Sequence, residues 1–301
     1  MGPIGGSVSR RTFARAVVAA GTGIALGAWP AKASAAPGAA DWLSGVDSQT
    51  FLSRISLPGT HDTGARYGGP LVQCQTLTVT EQLTAGVRFL DVRCRAIDGV
   101  FAIHHSQFFQ NIFFGDILNE CQDFLRAHPR ETIVMRVKQE YSTVPDADFG
   151  TIFAHYRSRW PGLLWTEARV PRLGEVRGKV VVLADNGGVP GIGWNSGLVD
   201  LEDDYDIGTV FDFYNRKWPA VSSHLDAARA CAPSSPEKVF ITFTSSSGWG
   251  LWPKQAADLM APKLSGYLSG LDRARRPLLG IVVMDYVSAG SAAPVFGMNF
   301  G

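Results

Sequence analysis

Ile55-Ser56-Leu57-Pro58-Gly59-Thr60-His61-Asp62-Thr63-Gly64-Ala65 is the stretch from which the fold can be argued. Arg54 to Leu57 predicts a short buried strand, and Pro58-Gly59 then breaks it. His61 and Asp62 are left on a turn at the strand's C-terminal end. In a barrel of alternating strands and helices, that edge carries the reactive side chains. Two further β-rich runs end in similar equipment, Asp91 with Arg93 and then His104-His105. One His-Asp pair is weak; three polar strand ends in succession form a constellation.

Working outward, the pattern alternates. Val87 to Cys94 and Val100 to His104 predict strands, the second introduced by an Asp98-Gly99 turn signal. Ile117 to Ala127 has apolar residues at helical spacing and stops before Pro129. Thr132 to Val137 reads as a strand, Phe149 to Trp160 as a helix and Lys179 to Leu183 as an apolar strand. Residues 186–214 are rich in Gly and Asp, and predict long loops with one irregular strand around Leu201. Then follow a helix from Trp218 to Cys231, a strand from Val239 to Thr244, a helix from Gln255 to Leu271 and a last strand from Leu279 to Asp285. This alternation predicts an α/β fold, a single TIM-type (β/α) barrel. Weak helix signals between the first three strands predict one that is distorted or incompletely closed.

The chain of 301 residues is 46% hydrophobic and 18% charged, enough to bury a large core. Its formal charge of +1 speaks against a nucleic-acid binder held by a broad cationic field. The mature part has no uninterrupted apolar run of spanning length. At the N-terminus, Ser9-Arg10-Arg11-Thr12-Phe13-Ala14-Arg15 resembles the twin-arginine export motif, followed by a mildly apolar stretch from Ala16 to Trp29. Residues 1–35 are therefore read as a signal peptide and 36–301 as one domain, secreted by that route. Cys74, Cys94, Cys121 and Cys231 fit an exported protein with up to two disulfides, in any of three full pairings. No Cys/His cluster has metal-ligand spacing.

The strand ends carry a recognisable chemistry. Histidine trades protons near neutral pH, so two of them at facing strand ends suit a base and an acid. Each imidazole needs a partner that fixes its tautomer, and Asp62, Asp91 and Asp285 all fall at expected strand ends. Arg93, two residues after Asp91, projects to the same side and suits a phosphate or carboxylate. A general base, a general acid and a fixed Arg suffice for phosphodiester cleavage without a metal.

These motifs, in order, resemble the metal-independent bacterial phosphatidylinositol-specific phospholipases C. The resemblance runs from Ile55 to about Val287 and rests on Pro58–Asp62, Gly86–Arg93 and Ile103–His105. Thr132–Tyr141, Phe243–Ser245 and Val283–Tyr286 support it. It implies that His61, oriented by Asp285, is the general base toward the inositol 2-hydroxyl. His105, supported by Asp62, would protonate the departing diacylglycerol oxygen, and Arg93, held by Asp91, would stabilise charge on the phosphate. Inositol 1,2-cyclic phosphate would be the product. Calcium-dependent relatives carry an acidic residue in place of this Arg, so Arg93 implies that neither metal nor cofactor takes part. Lys138, Asp203 and Tyr205 match positions that contact inositol in the family. Asp185 stands where the family has an Arg, which removes a donor fork, adds a negative charge and leaves the headgroup open. A monomer acting peripherally on phosphatidylinositol in membranes is implied, with no transmembrane segment.

Aromatic residues at the same edge suit an interface with lipid. Phe108 and Phe109 follow His105 directly, and Trp249 and Trp252 follow a later strand. Against these readings stand plainer ones. Phe113 and Phe114 could pack under a helix, Lys138 could pair with Glu140, and the acidic run from Glu202 to Asp206 could be a solvated loop. His104 is expected to face away from His105, and His128, His155 and His224 to lie at the surface. Two other functions fit the sequence: a phosphodiesterase acting on another headgroup, and a secreted barrel that binds phosphoinositides or sugars without turnover. The second has no need for both His.

Overall fold

A computed structural model describes residues 38–231 and 237–301. The twin-arginine motif and the expected cleavage site lie outside them. In chain order the strands are Leu57–Thr60 (β1), Phe89–Ile97 (β2), Val100–His105 (β3), Phe108–Phe113 (β4), Ile133–Gln139 (β5), Leu164–Trp165 (β6) and Val180–Asp185 (β7). Then come Ile192–Gly193 (β8), Val199–Glu202 (β9), Asp206–Gly208 (β10), Val239–Phe243 (β11), Ser247–Gly248 (β12) and Ile281–Met284 (β13). The helices are Val79–Thr84 (α1), Phe114–Ala127 (α2), Asp146–Arg159 (α3), Leu173–Val176 (α4), Val210–Asp212 (α5), Trp218–Ala230 (α6), Pro253–Ser269 (α7) and Ala289–Phe296 (α8).

The parallel strands run in the order β6-β7-β5-β2-β1-β13-β11-β9 and curl into an incompletely closed barrel. Among the described residues, no pairing joins β9 to the edge formed by β6 and β8 on β7. This is the distorted TIM-type barrel that the alternation predicts.

Three local expectations need correction. Pro58-Gly59 does not break β1 but lies within it, after a 3-10 turn at Leu52–Arg54. The Pro58 carbonyl accepts from Arg88 N–H (2.9 Å), so its nitrogen faces β2 just below the first paired residue, where a missing N–H costs nothing. Gly59 lets β1 approach Phe89, whose side chain would sit 2.7 Å from any added Cβ. Second, β3 is antiparallel to β2. Asp98 (φ 48°) and Gly99 (φ 76°) form a tight two-residue hairpin turn, which carries β2 beyond the rim and returns His105 to it from above. His105 thus reaches the rim on a hairpin rather than on a barrel strand. Third, Cys74, Cys94 and Cys121 do not form the expected disulfides but are buried thiols.

Alternation along each strand divides the core in two. Outward residues Leu90, Val92, Ile133, Met135, Val137, Val180 and Val182 pack beneath the helices. There α2 contributes Phe114, Ile117, Leu118, Cys121 and Leu125, spaced on one face. Inward residues Leu57, Phe89, Val134, Val181, Ile241, Phe243, Ile281 and Val283 fill the barrel. The same inward alternation, continued upward, brings Asp91 and Arg93, Arg136 and Lys138, and Asp185 to the mouth. In register, Asp91 lies beside Arg136, and Lys138 lies between Arg93 and Asp185. The barrel interior is apolar below and ionic above.

Candidate active site

His61 sits on the turn that follows β1, its N–H bonded to the Met284 carbonyl (3.0 Å) at the top of β13. Its Nδ1 lies 2.7 Å from Asp285 Oδ1, and its Nε2 lies 2.7 Å from an Arg93 Nη2. A guanidinium only donates, so Nε2 must offer a lone pair and Nδ1 must donate to Asp285. The ring is a neutral base aimed into the mouth. Burial alone would lower the His61 pKa, but the charge and hydrogen bond of Asp285, together with Asp91, carry it above the usual range despite Arg93.

Arg93 is held from several sides. Its Nε donates to Asp91 Oδ2 (3.3 Å), and Nη1 lies 3.7 Å from Asp62. Asp91 Oδ2 also accepts from the Asp62 N–H (3.0 Å), pinning the turn. Burial would raise the Asp91 carboxyl, but Arg93 and then Arg136 hold it well below the usual carboxylate range. Asp62 behaves oppositely: fully buried and without a hydrogen-bond partner for either oxygen, its carboxyl is pushed up by burial, with Arg93 and His105 only partly offsetting this.

His105 lies across the mouth. Its Nδ1 donates to the Val72 carbonyl (2.7 Å) and is 3.7 Å from Asp62 Oδ2. Its side chain keeps 20% exposure. As alternation implied, His104 faces away, stacked on Tyr141 and beside a tilted Phe109. Backbone strain gathers on this rim. Asp62, Ser106, Tyr141 and Tyr286 all have left-handed φ, between 39° and 51°, within two residues of the ends of β1, β3, β5 and β13.

The expected substrate residues divide. Lys138 lies at the mouth but pairs with Glu140 (3.3 Å). Asp203, on the loop after β9, is near enough to feel Arg136, Asp91, His61 and Arg93, and burial pushes its carboxyl up. Tyr205 is exposed, its carbonyl accepting from Ser247 N–H. Asp185 Oδ2 is held by Arg136 through both Nε (2.9 Å) and Nη2 (2.6 Å), so the negative charge expected there is paired. The acidic run is not simply solvated: Glu202 is buried against Lys217 (3.0 Å) and Asp204 is paired with Arg216. His155 is exposed as expected, but His224 bonds Thr242 and Asp200 and is half-buried, like His128 on Asp41.

Reading by motif missed two residues. Gln75 is fully buried; its Nε2 donates to the carbonyls of His61 and Met284 (2.9 Å each) while Oε1 accepts from Val287 N–H (3.2 Å), tying β1 to β13 beneath the base. Arg136 reads as one polar position in an apolar strand. Its inward alternation with Lys138 was the available signal.

Among the described residues, two overlapping sets could hold a metal ion: His61, Cys74 and Asp285, and Asp62, Cys74 and His105. Both need Cys74 as thiolate. Burial, with Asp285 next, pushes that thiol well up. The cation present in the geometry is Arg93.

Around the mouth, Phe108 and Phe109 on the β3–β4 hairpin are about 40% exposed, and Trp249 is 92% exposed. Trp249 and Trp252 share a cleft with Leu71 and Pro253. Phe114 is buried at the start of α2, whereas Phe113 is exposed. No helix among the described residues is long and apolar enough to cross a membrane.

Comparison with known proteins agrees with this geometry. Residues 60–185 match the model of the phosphatidylinositol-specific phospholipase C X domain. A 1-phosphatidylinositol phosphodiesterase of Listeria monocytogenes is 28% identical over 260 residues, spanning 81% of this chain and 80% of that protein. Its counterpart in Staphylococcus aureus is 29% identical over 244 residues, 70% of this chain and 76% of that one. Among solved structures, the phosphatidylinositol-specific phospholipase C from Listeria monocytogenes superposes with a TM-score of 0.78 at 25% identity, covering 88% of this chain and all of that one. The Staphylococcus aureus structure, at 24% identity and a TM-score of 0.74, shares the fold. In strand-end motifs, sequence and barrel, this chain therefore resembles the bacterial phosphatidylinositol-specific phospholipases C, and its residues 60–185 match the X domain of that family.

Proposed function

We propose that the protein is a phosphatidylinositol-specific phospholipase C that works by metal-free acid-base catalysis. His61 Nε2 takes the proton of the inositol 2-hydroxyl, whose oxygen attacks phosphorus. The bond from phosphorus to the diacylglycerol oxygen breaks, and His105 gives that oxygen its proton. The products are diacylglycerol and inositol 1,2-cyclic phosphate. Arg93 moves its donors from His61 Nε2 to the phosphate, where negative charge gathers in the transition state. One observation carries this reading: an Arg fixed by two buried carboxylates, bonded directly to the lone pair of a base that a third carboxylate orients.

Lys138, Asp203 and Tyr205 are read as contacts for the inositol ring. Trp249, Trp252, Phe108 and Phe109 are read as the part that meets the lipid interface, where amphipathic rings are favoured. The N-terminal motif is read as the signal for twin-arginine export.

The test is cleavage of phosphatidylinositol vesicles in excess EDTA, comparing wild type with His61→Ala. Turnover by the wild type that falls about 10²–10⁴-fold in the variant supports the reading. A requirement for added calcium refutes the metal-free role of Arg93. No turnover of phosphatidylinositol, with turnover of another headgroup, refutes the substrate but leaves the chemistry.

A further inference from the structure

We propose that Arg136 is a positioning residue, clamped by Asp185 and Trp194 so that it holds Asp91, and through Asp91 both Arg93 and the Asp62 turn, in working order. The inference rests on the reading of His61 and Arg93 as the reacting pair and adds a residue to which the strand-end motifs assign no role.

Every polar atom of this guanidinium has a partner. Nε and Nη2 converge on Asp185 Oδ2 (2.9 and 2.6 Å), and Nη1 crosses to Asp91 Oδ1 (3.2 Å). Its Cζ lies 4.0 Å from the Trp194 ring centroid and 5.7 Å from that of Phe243. Only 5% of the side chain is exposed and each of its three nitrogens already serves a carboxylate, so it has no open path to a ligand. The carboxylate it reaches is the junction of the site: Asp91 Oδ2 takes the Asp62 N–H and Arg93 Nε, while Oδ1 takes Arg136. With Arg136 present, Asp91 can spend a whole oxygen on Arg93 and the turn. Asp185 is thereby part of the clamp rather than a bare charge in the mouth. Lysine would fit the space but has one point charge where the fork serves two carboxylates.

The experiment compares Arg136→Met, Arg136→Lys and Asp185→Asn with wild type. It reads kcat and KM on phosphatidylinositol, thermal melting, and the pH titration of His61 by NMR of ¹⁵N-labelled imidazole. The groups facing His61 in that titration are Asp285, Arg93, Asp91, Asp62 and Asp203. Arg136→Met should lower kcat about 100-fold with KM nearly constant, the size expected for misplaced groups. The His61 titration should move to higher pH as Arg93 drifts from Nε2. Arg136→Lys should recover part of both effects, and Asp185→Asn should show a weaker version of each. Unchanged kcat and an unchanged His61 titration in any folded Arg136 variant would overturn the proposal. So would a rise in KM alone, which would make Arg136 a ligand contact. If wild type does not cleave phosphatidylinositol, the proposed function fails, while the His61 titration still decides whether Arg136 positions Arg93.

Discussion

The floor and the mouth of the barrel both hold a buried arginine with carboxylates, five residues apart along one segment, yet the two are built for opposite ends. At the floor, Arg88 is fully buried. Nε and Nη2 meet Glu131 (2.9 and 2.8 Å), and the remaining donors meet the carbonyls of Leu83, Val87, Ala39 and Ala40. Glu131 also takes the Leu43 and Ser44 N–H groups, and Phe124 covers the guanidinium. At the mouth, Arg93 meets acids at 3.3 and 3.7 Å, keeps some exposure and rests one donor on a histidine. Asp62 beside it has no hydrogen bond at all for its carboxylate. A saturated pair stabilises a fold; an unsaturated one is ready to exchange partners. The difference lies in the surroundings, not in the residue types.

Experiments can break this contrast. The largest expected effect is at the mouth: His61→Ala should cut turnover about 10²–10⁴-fold while leaving the melting curve nearly unchanged. A matching loss of stability would make His61 part of the scaffold. At the floor, Glu131→Ala should destabilise by about 3–5 kcal/mol, since it leaves Arg88 buried and unpaired. Chemical denaturation reads this, and activity per folded molecule should hold.

Asp285→Asn sharpens the contrast through pH. The base must be neutral, so kcat/KM should rise with pH through the elevated His61 pKa. Removing the carboxylate that raises it should shift this limb to lower pH, with a smaller loss of rate than His61→Ala. The stability signs follow: the raised His61 value contributes below about pH 6.5 and is lost as pH climbs through the folded value. The depressed Asp91 value contributes above the usual carboxylate range and is lost only at strongly acid pH. The smallest effect on chemistry is expected at the rim. Trp252→Ala should weaken binding to vesicles, measured by sedimentation, while hydrolysis of a soluble substrate stays within about twofold. Unchanged vesicle binding would remove Trp252 from the interface.

Much of this could be read along the chain. Strand and helix periods are local, so α2, α6, β5, β7 and β11 fall where apolar spacing and turn residues place them, within a few residues. The strand-end motifs led to His61, Asp62, Asp91, Arg93, His105 and Asp285, which lie together at one mouth. The sequence alone thus determined the alternating architecture, the incomplete closure and the residues that meet, because a side chain's face follows from its parity along a strand. Tertiary structure alone decided the rest. Parity could put Arg136 inside the barrel but not say that Asp185 and Trp194 would clamp it, because those partners lie 49 and 58 positions away. It could not say that Gln75 would stitch β1 to β13, that His105 would arrive on a hairpin, or that Cys74, Cys94 and Cys121 would remain buried thiols. Partnership between distant residues depends on where the barrel closes, and no local pattern carries that.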